Sequence, residues 1–377
     1  MILIFNKKRP AMKMHLNFPA FCKLGFGLLL LAVISVTNLK ETRAESRLLV
    51  EATKELPRHG EGSLITLDNG RLLLVYTQWY HGAGDDHDPA RLVEIHSDDG
   101  GKTWSAPQTV QENIGKMNVM STSLIKTTSG KLLLTYIRID SNRFANLWCK
   151  ISTDEGKTWS EPRQISQGTE GVIFTVNSAA IRLKSGRILL AAYGSPSAWQ
   201  KDEHFRSYSY YSDDEGQSWK KSVNEVDCPL RGAMEPEIEQ LNDGRILMLI
   251  RTQTTRMYRA FSNDGGQTWS PSEKTDIVHP EAPMQLQRIP GTDKLILIWN
   301  NAVVPGADHQ GPRTPLTIGI SDDEGETWKQ LKNIEETKNG SYSYVSMAFR
   351  DDTLHLVYYG PGGLRYQSIP VKQLLQD

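Results

Sequence analysis

The chain has 377 residues, with 43 Lys/Arg against 44 Asp/Glu, and only three cysteines. A near-neutral balance excludes electrostatic capture of nucleic acid or of an anionic membrane surface, and three cysteines cannot make a disulfide scaffold. No metal-ligand spacing of His or Cys and no phosphate-cradling Gly-rich loop stands out, so neither a metal nor another cofactor is expected.

Residues 1–44 read as a secretory signal peptide. Lys7, Lys8, Arg9, Lys13 and Lys23 precede an apolar run from Leu24 to Val36, and Thr42-Arg43-Ala44 offers a small-residue cleavage site. The run is short for a membrane span, so no integral span is expected in the mature chain, which would be secreted or periplasmic. Residues 45–377 would then hold 36 Lys/Arg and 43 Asp/Glu, a mildly acidic body.

Along that body the predicted elements are strands. A strand from Arg47 to Ala52 comes first. Successive units follow, starting near Gly62, Met120, Val176, Glu235, Met284 and Tyr342. The fourth unit is the clearest: Glu235 to Leu241, a hairpin at Asn242-Asp243-Gly244, Arg245 to Arg251, Met257 to Ser262, then a turn into a last strand at Trp269. Hairpin copies begin at Gly70-Arg71, Gly130-Lys131, Gly186-Arg187 and Gly244-Arg245, with weaker ones at Asp293-Lys294 and Asp352-Thr353, about 56 residues apart.

Out of phase with the hairpins runs Ser-x-Asp-x-Gly-x-[Thr/Ser]-Trp, at Ser97–Trp104, Ser152–Trp159, Ser212–Trp219, Ser262–Trp269 and Ser321–Trp328. Its Asp can accept turn amides, its Gly supplies positive φ, and its Trp covers a strand. Repeats of this length predict an all-β fold, a six-bladed β-propeller of four-stranded antiparallel blades forming a single domain over 45–377. The Arg47 to Ala52 strand is expected to complete the sixth unit, which has no box, and so to close the ring.

Strand direction sorts the residues by face. Hairpin glycines and boxes share one end of each unit, while the starts of the inner strands and the loops after the second strands share the other. Nine residues before the hairpin glycines stand Glu61, Ser121, Asn177 and Glu235, all polar and all expected near the axis.

The boxes, Glu235-Pro236 and Asp243-Gly244-Arg245 leading to Arg251 together resemble the sialidase (neuraminidase) superfamily of six-bladed propellers. That resemblance implies an exo-acting glycosidase that removes terminal sialic acid, or a related acidic sugar, from glycoconjugates with retention of configuration. It implies Tyr342, in Tyr342-Ser343, as nucleophile, Glu235 as its base and Asp86 as acid/base, with Asp85 and Asp88 as competitors. It also implies Arg251 and Arg313 as holders of the substrate carboxylate. Arg58 is the nearest candidate for a further arginine, displaced from the family spacing. No Glu follows the last apolar strand, where Val357-Tyr358-Tyr359-Gly360 stands instead, so Glu61 is the candidate partner for Arg58. Glu61 and Asn177 are expected to line the pocket. A tyrosine suits such a substrate because an anionic nucleophile would meet the sugar's own carboxylate, and sialidases are the tyrosine exception among glycosidases. Two other functions remain compatible with the sequence: a glycosidase or lyase for another anionic sugar such as a uronate, and a non-catalytic carbohydrate-binding propeller.

Overall fold

A computed structural model describes residues 45–166, 171–303 and 311–376; the expected signal segment lies outside them. The described residues form strands almost throughout. Strand β1 (Arg47–Glu51) is followed by β2 (Arg58–Thr66), β3 (Leu72–Trp79), β4 (Ala90–Ser97) and β5 (Gln108–Gln111), which make one antiparallel sheet in that order. Next come β6 (Asn118–Lys126), β7 (Leu132–Ser141), β8 (Phe144–Ser152), β9 (Arg163–Gln164), β10 (Gly171–Phe174), β11 (Ala180–Arg182), β12 (Ile188–Ser195), β13 (Arg206–Ser212) and β14 (Lys220–Lys221). Two further sheets are β15 (Met234–Gln240), β16 (Ile246–Arg251), β17 (Arg256–Ser262), β18 (Glu273–Val278), and β19 (Gln285–Arg288), β20 (Leu295–Asn300), β21 (Leu316–Ser321), β22 (Lys329–Glu335). The last comprises β23 (Ser343–Arg350), β24 (Thr353–Gly360) and β25 (Gly363–Pro370), with β1 added outside β25, and a short helix α1 (Val371–Leu374) follows.

The arrangement is a β-propeller, with one departure from six separate sheets. Four sheets of four strands stand alone, whereas β6 to β14 form a single nine-stranded sheet. The join is β10, which pairs antiparallel with β12 and also parallel with β8 at Gly171↔Phe144 and Val172↔Ala145. The inner strands β2, β6, β11, β15, β19 and β23 nevertheless touch one another in turn and return to β2. Packing between neighbouring sheets supplies the core, as where Leu72, Leu74 and Tyr76 meet Val357 and Tyr366; within the nine-stranded sheet Leu133 shares a core cluster with Ile188 and Leu189. Burying such a branched side chain stabilises by about 1.5–3 kcal/mol.

Each box works as a hydrogen-bond knot. Ser97 Oγ donates to Asp99 at 2.8 Å and accepts the Gly101 amide at 2.8 Å, while Asp99 also receives the Thr103 amide and hydroxyl. The same set recurs around Asp154, Asp214, Asp264 and Asp323. Gly101 stands at φ 82° and its four counterparts at 83–89°, a conformation that strains any other L residue. Cys149 and Cys228 are buried and unpaired.

What positions the functional end is a bulge near the start of the inner strands. Pairing is interrupted between Gly60 and Ser63, Met120 and Ser123, Met234 and Glu237, and Ser343 and Ser346. Within each interruption one residue adopts positive φ: Glu61 (49°), Ser121 (56°), Glu235 (40°) and Tyr344 (52°). Ser178 (60°) takes the matching place just before β11. Left-handed backbone at a residue with a side chain costs on the order of 1–3 kcal/mol and persists only where surroundings impose it. Here it converges Glu61, Ser121, Glu235 and Tyr344 on one cavity, whereas the Ser178 hydroxyl bonds Ser63 and Ser346.

Candidate active site

The converged residues open into a cavity of about 520 Å³. Glu61, Asp86, Ser121, Glu235, Arg251, Arg313 and Tyr344 form its polar wall. Its other side is apolar, with Met120, Ile137, Phe174, Val176 and Trp199. Trp199 bridges the rim, with its ring 5.0 Å from that of His87 and 5.1 Å from that of Phe174.

Glu235 and Arg251 face each other across the open end of the β15–β16 pair and form a buried ion pair through Glu235 Oε2. The other carboxylate oxygen, Oε1, accepts the Tyr344 hydroxyl at 3.3 Å. Burial first, then the negative charges of Glu235 and Glu61, push the Tyr344 phenol far above its ordinary pKa. Tyr344 therefore rests neutral, with a carboxylate in place to take its proton. Arg313 donates to Ser343 Oγ at 3.0 Å, and its guanidinium lies over the Tyr344 ring, 5.5 Å from the centroid.

Of the two neighbouring tyrosines, Tyr344 lines the cavity and the expected Tyr342 does not. Tyr342 is 3% exposed and turns into the core beside Tyr358, with ring centroids 6.3 Å apart. Its amide donates to the Arg313 carbonyl at 2.9 Å, and its carbonyl accepts from Asn300 at 3.2 Å. The bulge sends Tyr344, not Tyr342, to the axis. Asn177 is displaced in the same way: it is not part of the cavity wall, and its amide bonds the carbonyls of Gly62 at 2.9 Å and Val345 at 3.0 Å, tying inner strands together. The count back from the hairpin glycine missed the inward residue of the third unit because that hairpin is shorter, and the Tyr-Ser pair of the resemblance does not locate the bulge. Counting back two residues from the pair that resumes the ladder finds the axial side chain in Glu61-x-Ser63, Ser121-x-Ser123, Glu235-x-Glu237 and Tyr344-x-Ser346.

Three aspartates competed for one role, and their surroundings separate them. Asp88 Oδ2 accepts the amides of Ala83, Gly84 and Asp85 at 2.8–2.9 Å and so builds the loop. Asp85 is exposed and outside the cavity wall, whereas Asp86 is part of it. Burial works to raise the Asp86 pKa, but the Arg58 charge and hydrogen bond outweigh it and hold the carboxyl below the usual range.

Arg58 lies at the edge of the polar wall, 2.7 Å from Glu61 Oε1 and 2.5 Å from Asp86 Oδ1. Its guanidinium stacks 4.0 Å from the Trp79 ring centroid. Glu61 thus contacts the arginine it was expected to partner, and it also accepts the Ser121 hydroxyl. Burial outweighs the opposing Arg58 charge and raises the Glu61 pKa to about 7. A group absent from the sequence reading is Arg231, which lines the cavity and pairs with both Glu203 and Glu281. Among the described residues, no group of three or more His, Cys, Asp or Glu is placed to hold a metal ion, and no helix is long and apolar enough to cross a membrane.

Comparison with known proteins agrees with this architecture. Residues 117–356 match the family described as BNR repeat-like domain, and residues 95–106 match the BNR/Asp-box repeat. A sialidase from Micromonospora viridifaciens is 25% identical over 368 residues, covering 85% of this chain and 53% of that protein. The chain therefore spans about half the length of that relative. Among solved structures, a protein of unknown function from Dyadobacter fermentans superposes with a TM-score of 0.71 at 19% identity, covering 87% of this chain and 98% of that one. The NanB sialidase from Streptococcus pneumoniae gives 0.70 at 16% identity, covering 87% and 71%. With the repeat match extending over well over half its length, the chain belongs to the BNR repeat-like domain family, within the Asp-box sialidase superfamily.

Proposed function

We propose that the protein is an exo-acting sialidase-type glycoside hydrolase that cleaves terminal sialic acid, or a closely related acidic sugar, from glycoconjugates with retention of configuration. The observation behind this reading is the Tyr344–Glu235 hydrogen bond in a cavity that also presents Arg251 and Arg313. The arginines hold the substrate carboxylate through charge-assisted, paired bonds. Tyr344 attacks the anomeric carbon and its proton passes to Glu235, so the nucleophile carries no charge as it meets an anionic sugar. Asp86 protonates the leaving oxygen as the glycosidic bond breaks. It then takes a proton from the water that cleaves the tyrosyl intermediate, while Glu235 returns its proton to the departing phenol. An ionised Asp86 cannot begin this cycle. Turnover therefore draws on the molecules in which Asp86 carries its proton, a share that grows as pH falls.

The basic-then-apolar leader read in residues 1–44 would take the enzyme out of the cytosol, to where sialylated glycans are displayed. The test is incubation of purified protein with a fluorogenic α-sialoside, following the released sugar by NMR. Release of the α-anomer first supports the reading. An unsaturated, ultraviolet-absorbing product from a uronate chain would support a lyase instead, and specific glycan binding without release would support a carbohydrate-binding propeller.

A further inference from the structure

The cavity that is meant to accept an anion does not have an excess of positive charge. Four arginines take part in it among the described residues: Arg231, Arg251 and Arg313 in its wall and Arg58 at its edge. Against them stand five carboxylates, Glu61, Asp86, Glu203 and Glu235 in the wall and Glu281 behind Arg231. His279 adds nothing, because burial and then the charges on Arg251 and Arg313 push its imidazole down to about 3. A substrate carboxylate would enter a site already balanced or negative, and like charges at close range are unfavourable by several kcal/mol.

We propose, building on the sialoside reading, that the anionic sugar binds together with one proton and that Glu61 is the residue that takes it up. The geometry singles out Glu61. Glu235 has the buried Arg251 guanidinium to itself, and Glu203 and Glu281 share Arg231. Among the described residues Glu61 pairs with Arg58 alone, which it divides with Asp86. Its side chain is 2% exposed, against 57% for Asp86, so water does little to stabilise its charge. The groups around it are Arg58 on β2, Asp86 and His87 on the β3–β4 loop, Ser121 on β6, Glu235 on β15 and Tyr344 on β23. Two of these are carboxylates and one a neutral phenol. When the substrate carboxylate draws on Arg58, Glu61 loses the cation it pairs with while gaining another negative neighbour. A pKa already raised to about 7 by burial then rises further, and the residue becomes neutral across the physiological range. Glu61 would thus be a positioning residue, which keeps Arg58 in place when the site is empty and gives it up without leaving a buried charge.

Titration calorimetry with the anionic analogue 2-deoxy-2,3-didehydro-N-acetylneuraminic acid tests this, run at pH 8 in buffers of different ionisation enthalpy. The wild type is expected to take up about one proton per ligand, and its affinity to fall about tenfold per pH unit above pH 8. Glu61→Gln, which mimics the protonated side chain, is expected to bind with no such uptake and a nearly flat pH dependence. Wild-type binding without proton uptake, or uptake undiminished in Glu61→Gln, overturns the assignment while leaving the sialoside reading intact. Absence of binding by the wild type overturns that reading, and this inference with it.

Discussion

Tyr344 and Glu235 lie 109 residues apart in sequence, yet the phenol donates to the carboxylate at 3.3 Å, and both residues stand on bulges at positive φ. The contact is made by the fold rather than by local sequence, because each bulge turns one side chain of an inner strand toward the axis. Tyr344→Phe is expected to lower kcat by roughly 10³-fold or more with the fold intact, since the nucleophile is lost while the ring remains. Tyr342→Phe is expected to leave sialoside turnover within about twofold of wild type, since that ring packs in the core. Initial rates on a fluorogenic sialoside for the two variants check both.

Arg313 gives a prediction of different character. It stands over the Tyr344 ring and donates to Ser343, so replacement should disturb binding more than chemistry. For Arg313→Lys, which keeps the charge but not the planar fork, KM is expected to rise about 10- to 100-fold with a smaller change in kcat. A fall confined to kcat would show that the arginine acts on the nucleophile and not on the carboxylate.

Much of this site was legible in the sequence. Glu235, Arg251 and Arg313 could be named on the resemblance to the sialidase superfamily, and all three line the cavity. Tyr342 was named on the Tyr-Ser pair of the resemblance and Asn177 on a count back from the hairpin glycine. Neither signal announces the bulge, which decides which residue points inward. The β10 join failed differently: a parallel bridge between Gly171-Val172 and Phe144-Ala145 leaves no periodicity to detect. Arg231 and Trp199 sit on loops, where strand alternation says nothing about direction.

The boxes have a separable role. Asp264 accepts the amides of Gln267 and Thr268, the Thr268 hydroxyl and the Ser262 hydroxyl, at 2.6–3.0 Å. The Asp264→Ala variant is expected to melt a few degrees lower, since several turn donors lose their acceptor, while KM on a sialoside stays unchanged. Calorimetry and steady-state kinetics on the same preparation check this.

Glu61 should also be visible in the stability of the empty protein. Its folded pKa is raised from 4.5 to about 7, so the folded state keeps a proton that the unfolded chain gives up first. The resulting stabilisation is fully present below pH 4.5 and is lost as pH rises through 7. The melting temperature of the wild type is therefore expected to fall across that window relative to Glu61→Gln. Parallel pH dependences for the two proteins would contradict it.

The central claim is that the Tyr344 phenol, held by Glu235, forms the bond to the sugar. The most direct measurement is covalent trapping with a 2,3-difluoro sialic acid, followed by digestion and peptide mass spectrometry. One adduct is expected, on Tyr344, absent from Tyr344→Phe and retained in Tyr342→Phe. An adduct on Tyr342 or on a carboxylate, or sialoside turnover with no trapped intermediate, would contradict it.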